Sequence, residues 1–535
     1  MSDARSDRRQ RWCDALAGMV AAGVALATGQ LVTAFDAEGT TLVSAVGDEF
    51  IDAFAGPLKD LAVELFGTND KAALVTGIVL VSLAIGAVLG VAARRRPWVG
   101  VAGFVAFGVV GAASYLATPL GNDALGIAAA ALAVLAGAST LRFLLRLAAP
   151  TATAAPAVVL DGVARDGDIQ PVAAAAAMTQ PDRRLFLTAA GSLAVGAAGT
   201  AALGRRLGAA DPSAEFRAST VLPEVSSGLP ATSVPPAPFT EAGLSPYVTP
   251  VPDFFRIDTA LVVPRIDPAT WSMEVTGLVD RPFSITLDEL LAMEAVEVPI
   301  TLQCVSNEVG GPLVGNAVWQ GVPLVELLDR AGVQPEGTQV LGRSVDGFTA
   351  GFPTELLADG RPAVLAYGMN GELLTPTHGF PARLVVSGVY GYVSATKWLQ
   401  SIELTPFEDV DGYWVPLGWA KEAPVKTMSR IDVPRRTEAV LAGPVVCAGV
   451  AWSMPRGISA VEVRVDEGDW QTADLGDATS GHTWVQWRAV VDVEPGDHVL
   501  TVRATDTDGE VQTDEPASPA PDGATGHHAR RFEAS

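Results

Sequence analysis

At 535 residues the chain is too long for one ordinary core, so several domains are expected. Its 60 acidic against 36 basic residues give a formal net charge of -24, which argues against a nucleic-acid partner. Three cysteines in this length do not make a disulfide framework.

The acidic excess is uneven. Nearly all of it follows residue 205, while the N-terminal part is close to charge-balanced and rich in Ala, Val and Leu. That split implies a membrane part and a soluble acidic part. Four apolar runs, Ala15 to Phe35, Ala72 to Ala93, Trp98 to Thr118 and Ala124 to Leu147, are each long enough to cross a bilayer as a helix, which takes about 20 residues. Their Gly and Ala content suits close helix packing in lipid. Arg5, Arg8, Arg9 and Arg11, then Arg94, Arg95 and Arg96, then Arg142 and Arg146 all fall on one side if the helices alternate, which the positive-inside rule makes cytoplasmic. The loop Asp36 to Asp70 is mostly acidic. Its Phe50, Phe54, Leu58, Leu61 and Leu65 spacing predicts an amphipathic helix at the outer interface. Residues 1–150 therefore read as a four-helix transmembrane region.

Residues 151–184 are Ala-, Pro- and Thr-rich and read as a cytoplasmic linker. Asp182-Arg-Arg-Leu-Phe-Leu187 then opens a fifth apolar segment, 185–204. The arginine pair is similar to a twin-arginine export signal. Two arginines at the cytoplasmic end of a helix explain the charge equally well. Residues 205–250 form a second, Pro-rich linker.

From 251 to 408 short β-like segments (Trp271 to Val275, Ala363 to Tyr367, Ala382 to Val386) alternate with helix-like ones (Leu287 to Met293, Leu324 to Ala331), which predicts a mixed α/β domain. Residues 409–535 hold a linker and then alternating runs such as Val461 to Val465 and His498 to Arg503, which predict a β-sandwich.

Candidate site residues concentrate in the α/β part. Cys304 follows an apolar run, Val298 to Leu302, and opens the loop Val305-Ser-Asn-Glu-Val-Gly-Gly311. By residue type alone it reads as a buried inert thiol, as a disulfide partner of Cys447, or as a soft anionic metal ligand. Downstream lie His378-Gly-Phe-Pro-Ala-Arg383 and Ser394-Ala-Thr-Lys-Trp398. Hydroxyls, backbone N–H groups, an imidazole, a guanidinium and an ammonium together suit a phosphate-bearing group.

In this order, these segments resemble the sulfite-oxidase family of molybdopterin enzymes, over about residue 250 to the end. The resemblance implies Cys304 as the catalytic molybdenum ligand. It implies Mo-molybdopterin held by Arg256, Ile257, Asp258, Asp346, His378, Arg383, Ser394, Ala395, Thr396 and Lys397. It also implies an immunoglobulin-like C-terminal domain able to form a homodimer. The expected activity is oxygen-atom transfer on an oxyanion or sulfoxide-type substrate, outside the cytoplasm, from a chain anchored in the lipid bilayer. A sulfoxide-type reductase and a non-catalytic binding module remain as alternatives, and the redox partner is unspecified. One departure bears on substrate. The family carries arginines just after the ligand cysteine, whereas here Ser306-Asn-Glu-Val309 stands there.

Overall fold

The computed structural model describes residues 2–36, 39–54, 70–149, 151–152, 178–179, 183–209, 211–225, 239–435 and 439–535. Most of the expected linker 151–184, and the Leu58, Leu61 and Leu65 part of the expected interfacial helix, lie outside them. The chain divides into two compact units, Met1–Ala210 and Asp211–Ser535.

The first unit is helical: Ser2–Thr33, Leu42–Phe54, Asp70–Arg95, Pro97–Ala117, Asp123–Leu147 and Arg183–Leu207. Among the described residues, five of these helices are long and apolar enough to cross a membrane. Their outward faces stay apolar, with Leu80, Val88, Val109, Leu135 and Val195 all more than half exposed. Small residues set the spacing. A Cβ on Gly18 would lie 2.0 Å from the Gly86 carbonyl oxygen, so these two backbones meet in contact. Where the helices end, polar groups are paired. Arg94 bridges Asp14 at 3.0 Å and donates to the carbonyls of Leu145 (3.0 Å) and Ala148 (2.9 Å), tying three helices together near the arginine-rich ends. At the opposite ends the Tyr115 hydroxyl donates to the Asp36 carboxylate.

Among its described residues the second unit holds four sheets. One is antiparallel, in the order Glu372–Leu373, Ala363–Met369, Val314–Pro323 and Val296–Gln303, with Arg383–Val386 also paired to Ala363–Met369. Its strand Val314–Pro323 is buried at nearly every residue, as a central strand covered on both faces must be. The next sheet runs Phe283–Thr286, Ser272–Gly277, Leu399–Thr405, Gln339–Ser344 and Thr349–Pro353, and is mixed because Leu399–Thr405 lies parallel to Ser272–Gly277. Helices seal these sheets with apolar stripes. Leu324–Ala331 buries Leu324, Leu327, Leu328 and Ala331, one helical face, and stops at Gly332 in the left-handed region (φ +69°). Leu287–Leu291 starts with a capping box between Thr286 and Glu289.

From Met428 on, strands are the only regular elements among the described residues. Met428–Val433, Gly443–Trp452, Val485–Val493 and Asp474–Leu475 make one sheet; Ala439–Val440, His528–Ala534, Gly496–Asp506, Ile458–Val465 and Gln471–Thr472 make the other. Both contribute to one core, in which Ile431, Cys447, Trp487 and Val491 meet Val461, Val463, Leu500 and Val502. Cys304 and Cys447 are both thiols, and Cys447 belongs to this separate core, so the pairing considered from the sequence does not form.

Candidate cofactor site

The buried strand Val296–Gln303 ends at Cys304, whose side chain is 8 % exposed. The loop beyond is folded back on itself. Cys304 N donates to Leu313 O (3.0 Å), Asn307 N donates to Cys304 O (3.1 Å), and Leu313 N donates to Asn307 Oδ1 (2.8 Å). That last bond fixes which way the Asn307 amide faces. Its Nδ2 is then a buried donor with no partner.

His378 ends a short 3₁₀ turn, Pro376–His378, made possible by Gly379 in the left-handed region (φ +104°). A Cβ at Gly379 would sit 3.0 Å from Lys397 Cβ and 3.2 Å from Arg383 Cβ, so this residue lets three site segments converge. His378 Nε2 lies 3.0 Å from Val251 O. A carbonyl only accepts, so the proton is on Nε2 and the Nδ1 lone pair remains in the neutral ring. Burial, then the charges of Arg383, Lys397 and Arg256, push the imidazole down to about 4, so it is neutral at pH 7.

Arg383, on the strand Arg383–Val386, is 6 % exposed and lies over the Trp319 ring at 5.0 Å. It donates to His378 O (3.2 Å) and Ala395 O (3.4 Å), and its Nε has no partner. Burial lowers it to about 10. Lys397 bonds the Asp258 carboxylate at 2.8 Å, and Arg256 bonds the same Oδ2 at 3.0 Å. Burial pulls the ammonium down to about 8, against the attraction of Asp258. Asp346 lies within electrostatic reach of Asp258 and Lys397, and burial raises its carboxyl.

The fold thus gathers Arg256, Asp258, Asp346, His378, Arg383 and Lys397 into one electrostatic cluster, three cations against two carboxylates beside a neutral imidazole. Thr396 joins it as a fully buried residue whose Oγ1 has no partner. Ala395 contributes its carbonyl to Arg383. Ser394 is buried too, but its hydroxyl turns inward to Tyr390 O (3.0 Å). Ile257 is half exposed. The short helix Gly391–Ser394 links the cluster to the cysteine loop, since a Cβ on Gly391 would lie 3.8 Å from Gln303 O.

Sequence reasoning missed the supports. Val251 O fixes the His378 tautomer, and Phe254 meets His378 edge-on at 5.9 Å. Trp319 lies under Arg383, and Pro376 O accepts from Trp398 Nε1 at 2.7 Å. The aromatic pair Phe254-Phe255 beside Arg256 was the one local signal of these contacts. Elsewhere in this domain, Arg343 is engaged by Glu403 (2.8 Å), Phe348 packs on Tyr413 (5.8 Å), and Glu308 is exposed.

Residues 260–414 match the family model "Oxidoreductase molybdopterin binding domain". Human mitochondrial sulfite oxidase is 31 % identical over 341 residues, covering 54 % of this chain and 61 % of that protein. NADH nitrate reductase 1 of Arabidopsis thaliana is 34 % identical over 235 residues, covering 38 % of this chain and 25 % of that protein. The chain therefore spans about a quarter to three fifths of these relatives' lengths. Among solved structures, the sulfane dehydrogenase SoxCD from Paracoccus pantotrophus is 24 % identical, with a TM-score of 0.48 over 55 % of this chain and 84 % of that one. By its domain match and its curated relatives, the chain carries a molybdopterin-binding oxidoreductase domain over residues 260–414 and is similar to sulfite oxidases and nitrate reductases.

Proposed function

We propose that this protein is a membrane-anchored molybdenum enzyme that performs oxygen-atom transfer on the extracytoplasmic side. The observation that carries the reading is the cationic cluster, in which Arg383 and Lys397 are buried, with two unsatisfied groups, Arg383 Nε and Thr396 Oγ1, one short helix away from Cys304. Buried polar atoms without partners are rare and costly. A phosphate-bearing pterin supplies acceptors for both and balances the cationic excess, so the residues present fit the group.

In this reading Lys397, Thr396 and Arg383 hold the phosphate end, and Arg256, Asp258 and Asp346 line the pterin with Ile257. Neutral His378 offers its Nδ1 lone pair to a donor on the pterin. Ala395 presents backbone to the same group, and Ser394 stiffens the turn that carries it. Cys304 is the one protein ligand to molybdenum, and its burial keeps the thiolate away from bulk water. When bound, the cofactor supplies two-electron redox chemistry at the metal, and the protein supplies ligation and orientation.

The proposed domain plan follows the sequence: residues 1–150 transmembrane, 151–184 cytoplasmic linker, 185–204 fifth span, 205–250 linker, 251–408 catalytic and 409–535 linker with an immunoglobulin-like dimerisation module. The substrate class is an oxyanion such as sulfite, or a neutral sulfoxide-type oxide. The absence of arginine between Cys304 and Pro312 favours the neutral class. Molybdenum and pterin content per chain of the detergent-purified protein tests the assignment. Near-stoichiometric values are expected, with dye-linked turnover of a sulfoxide or sulfite. A cofactor-free, inactive protein from a host that loads other molybdenum enzymes would establish a binding module instead.

A further inference from the structure

The strand that delivers Cys304 is held by the C-terminal region as well as by its own sheet. On the near side, Thr301 N donates to His482 O (3.0 Å), and Trp484 N donates to Thr301 Oγ1 (2.8 Å). The residue next to the cysteine is clamped at both ends of its amide. Gln303 Oε1 accepts from Trp452 Nε1 (2.7 Å), and its Nε2 donates to Met428 Sδ (3.0 Å). On the far side, Arg430 donates to Gly311 O (3.1 Å). At Gly310 (φ +75°), a Cβ would lie 2.3 Å from the His528 ring, so that imidazole packs directly on the loop backbone. Arg430 is itself locked by Asp432 (2.8 Å) and Ser245 (2.8 Å).

Met428, Arg430, Trp452, Trp484 and His528 all belong to the C-terminal β-rich region or its edge, and they grip residues 301–311 on both sides of Cys304. Gln303 is 1 % exposed and Trp452 is 1 % exposed, so their bond is made away from water. An amide fixed at both ends leaves its backbone little freedom, and the next residue in the chain is the thiol.

We infer that Gln303, fixed by Trp452 and Met428, is a positioning residue that sets the direction of the Cys304 thiol, with Arg430 holding the loop from the other side. The C-terminal sheets then form part of the frame of the metal ligand and are not merely an appended module. The inference rests on the reading of Cys304 as the molybdenum ligand.

Two mild variants of the full chain test it. Trp452→Phe keeps the ring and removes the N–H, and Arg430→Gln weakens the grip on Gly311. The first measurement uses cofactor-free protein: the rate of Cys304 alkylation by iodoacetamide, read by peptide mapping. A rise of about fivefold to tenfold is expected, the weight of one buried hydrogen bond. The second uses loaded protein: the Mo(V) electron paramagnetic resonance spectrum, whose g-values respond to the orientation of the sulfur ligand. Shifted g-values with kcat reduced and KM little changed are expected. Folded variants with unchanged alkylation and unchanged g-values would overturn the inference and leave the cofactor assignment standing. An active Cys304→Ser protein with an unaltered spectrum would instead remove the ligand reading on which the inference rests.

Discussion

The two units treat buried polarity in opposite ways. In the helical unit the buried acids are closed within the protein: Asp14 is held by Arg94, and Asp36 by Tyr115. In the second unit, buried side-chain atoms without partners include Arg383 Nε, Thr396 Oγ1 and Asn307 Nδ2 in the cysteine loop and cationic cluster, along with others outside them such as Arg464 Nε and Trp487 Nε1. Unpaired buried donors cost about 1–3 kcal/mol each, so three of them converging on one cationic cluster and cysteine loop suit a ligand that would satisfy them together. The first unit thus reads as a finished packing problem. The second reads as a receptor that needs its ligand.

The sharpest break would come at Cys304. On the proposed reading of Cys304 as the metal ligand, Cys304→Ser should lower turnover by more than the roughly 10–100-fold that loss of an outer-shell partner of a metal site costs. Pterin content and melting temperature should change little, because Arg383, Thr396 and Lys397 remain. Substantial activity in that variant, assayed with the same dye and substrates, would remove the metal site from the second unit.

Acid should act unequally on the two units. No histidine lies in residues 1–210. In the second unit His378 and His528 are each pushed down to about 4, chiefly by burial. A histidine whose folded value lies below its unfolded value of about 6.5 keeps the fold at full stability above pH 6.5. That stability is lost as pH falls toward 4, because the unfolded chain then binds the proton more tightly. The upper bound is about 3 kcal/mol per histidine. Stepwise acidification should therefore melt the second unit first, visible as loss of its tryptophan fluorescence while helical ellipticity persists. Loss of both signals together at pH 5 would contradict it.

A smaller effect isolates one unpaired atom. Thr396→Val replaces the orphan hydroxyl by a methyl of similar volume. Cofactor-free protein should gain about 1 kcal/mol and melt several degrees higher. The loaded protein should lose pterin faster on dialysis. A destabilised cofactor-free variant would show that the hydroxyl already has a partner.

Local signals in the chain carried much of this. The apolar runs matched four of the long helices, and the segment from Arg183 made the fifth. The β-like run at 363–367 fell inside an observed strand, the run at 382–386 overlapped the strand Arg383–Val386 but began one residue early, and Leu324–Ala331 was bounded as expected. What stayed hidden were contacts distant in sequence. Val251 meets His378 across 127 positions, and Trp452 meets Gln303 across 149. A single sequence carries no pairing information at that range. Nor does residue type reveal that Asp258 binds Lys397 and Arg256 at once, which moderates the positive charge. Ser394 shows the same limit: its hydroxyl suits phosphate by type but bonds within its own turn.

The least effect is expected at Glu308, and it bears on substrate. The side chain is exposed on the cysteine loop, so solvent screens it and its influence on an incoming anion is modest, about 1 kcal/mol or less. Glu308→Arg reverses that charge without touching the buried clamp of the loop. If the acid borders the substrate path, KM for sulfite should fall about threefold to tenfold at low salt, and the gain should shrink as ionic strength rises. KM for a neutral sulfoxide should hold constant in the same titration. An unchanged KM for sulfite at low salt would mean that Glu308 points away from the path. A micromolar KM for sulfite in the unmodified protein would show that cations outside this loop already serve the anion, and the preference for neutral oxides would fall while the cofactor site stood.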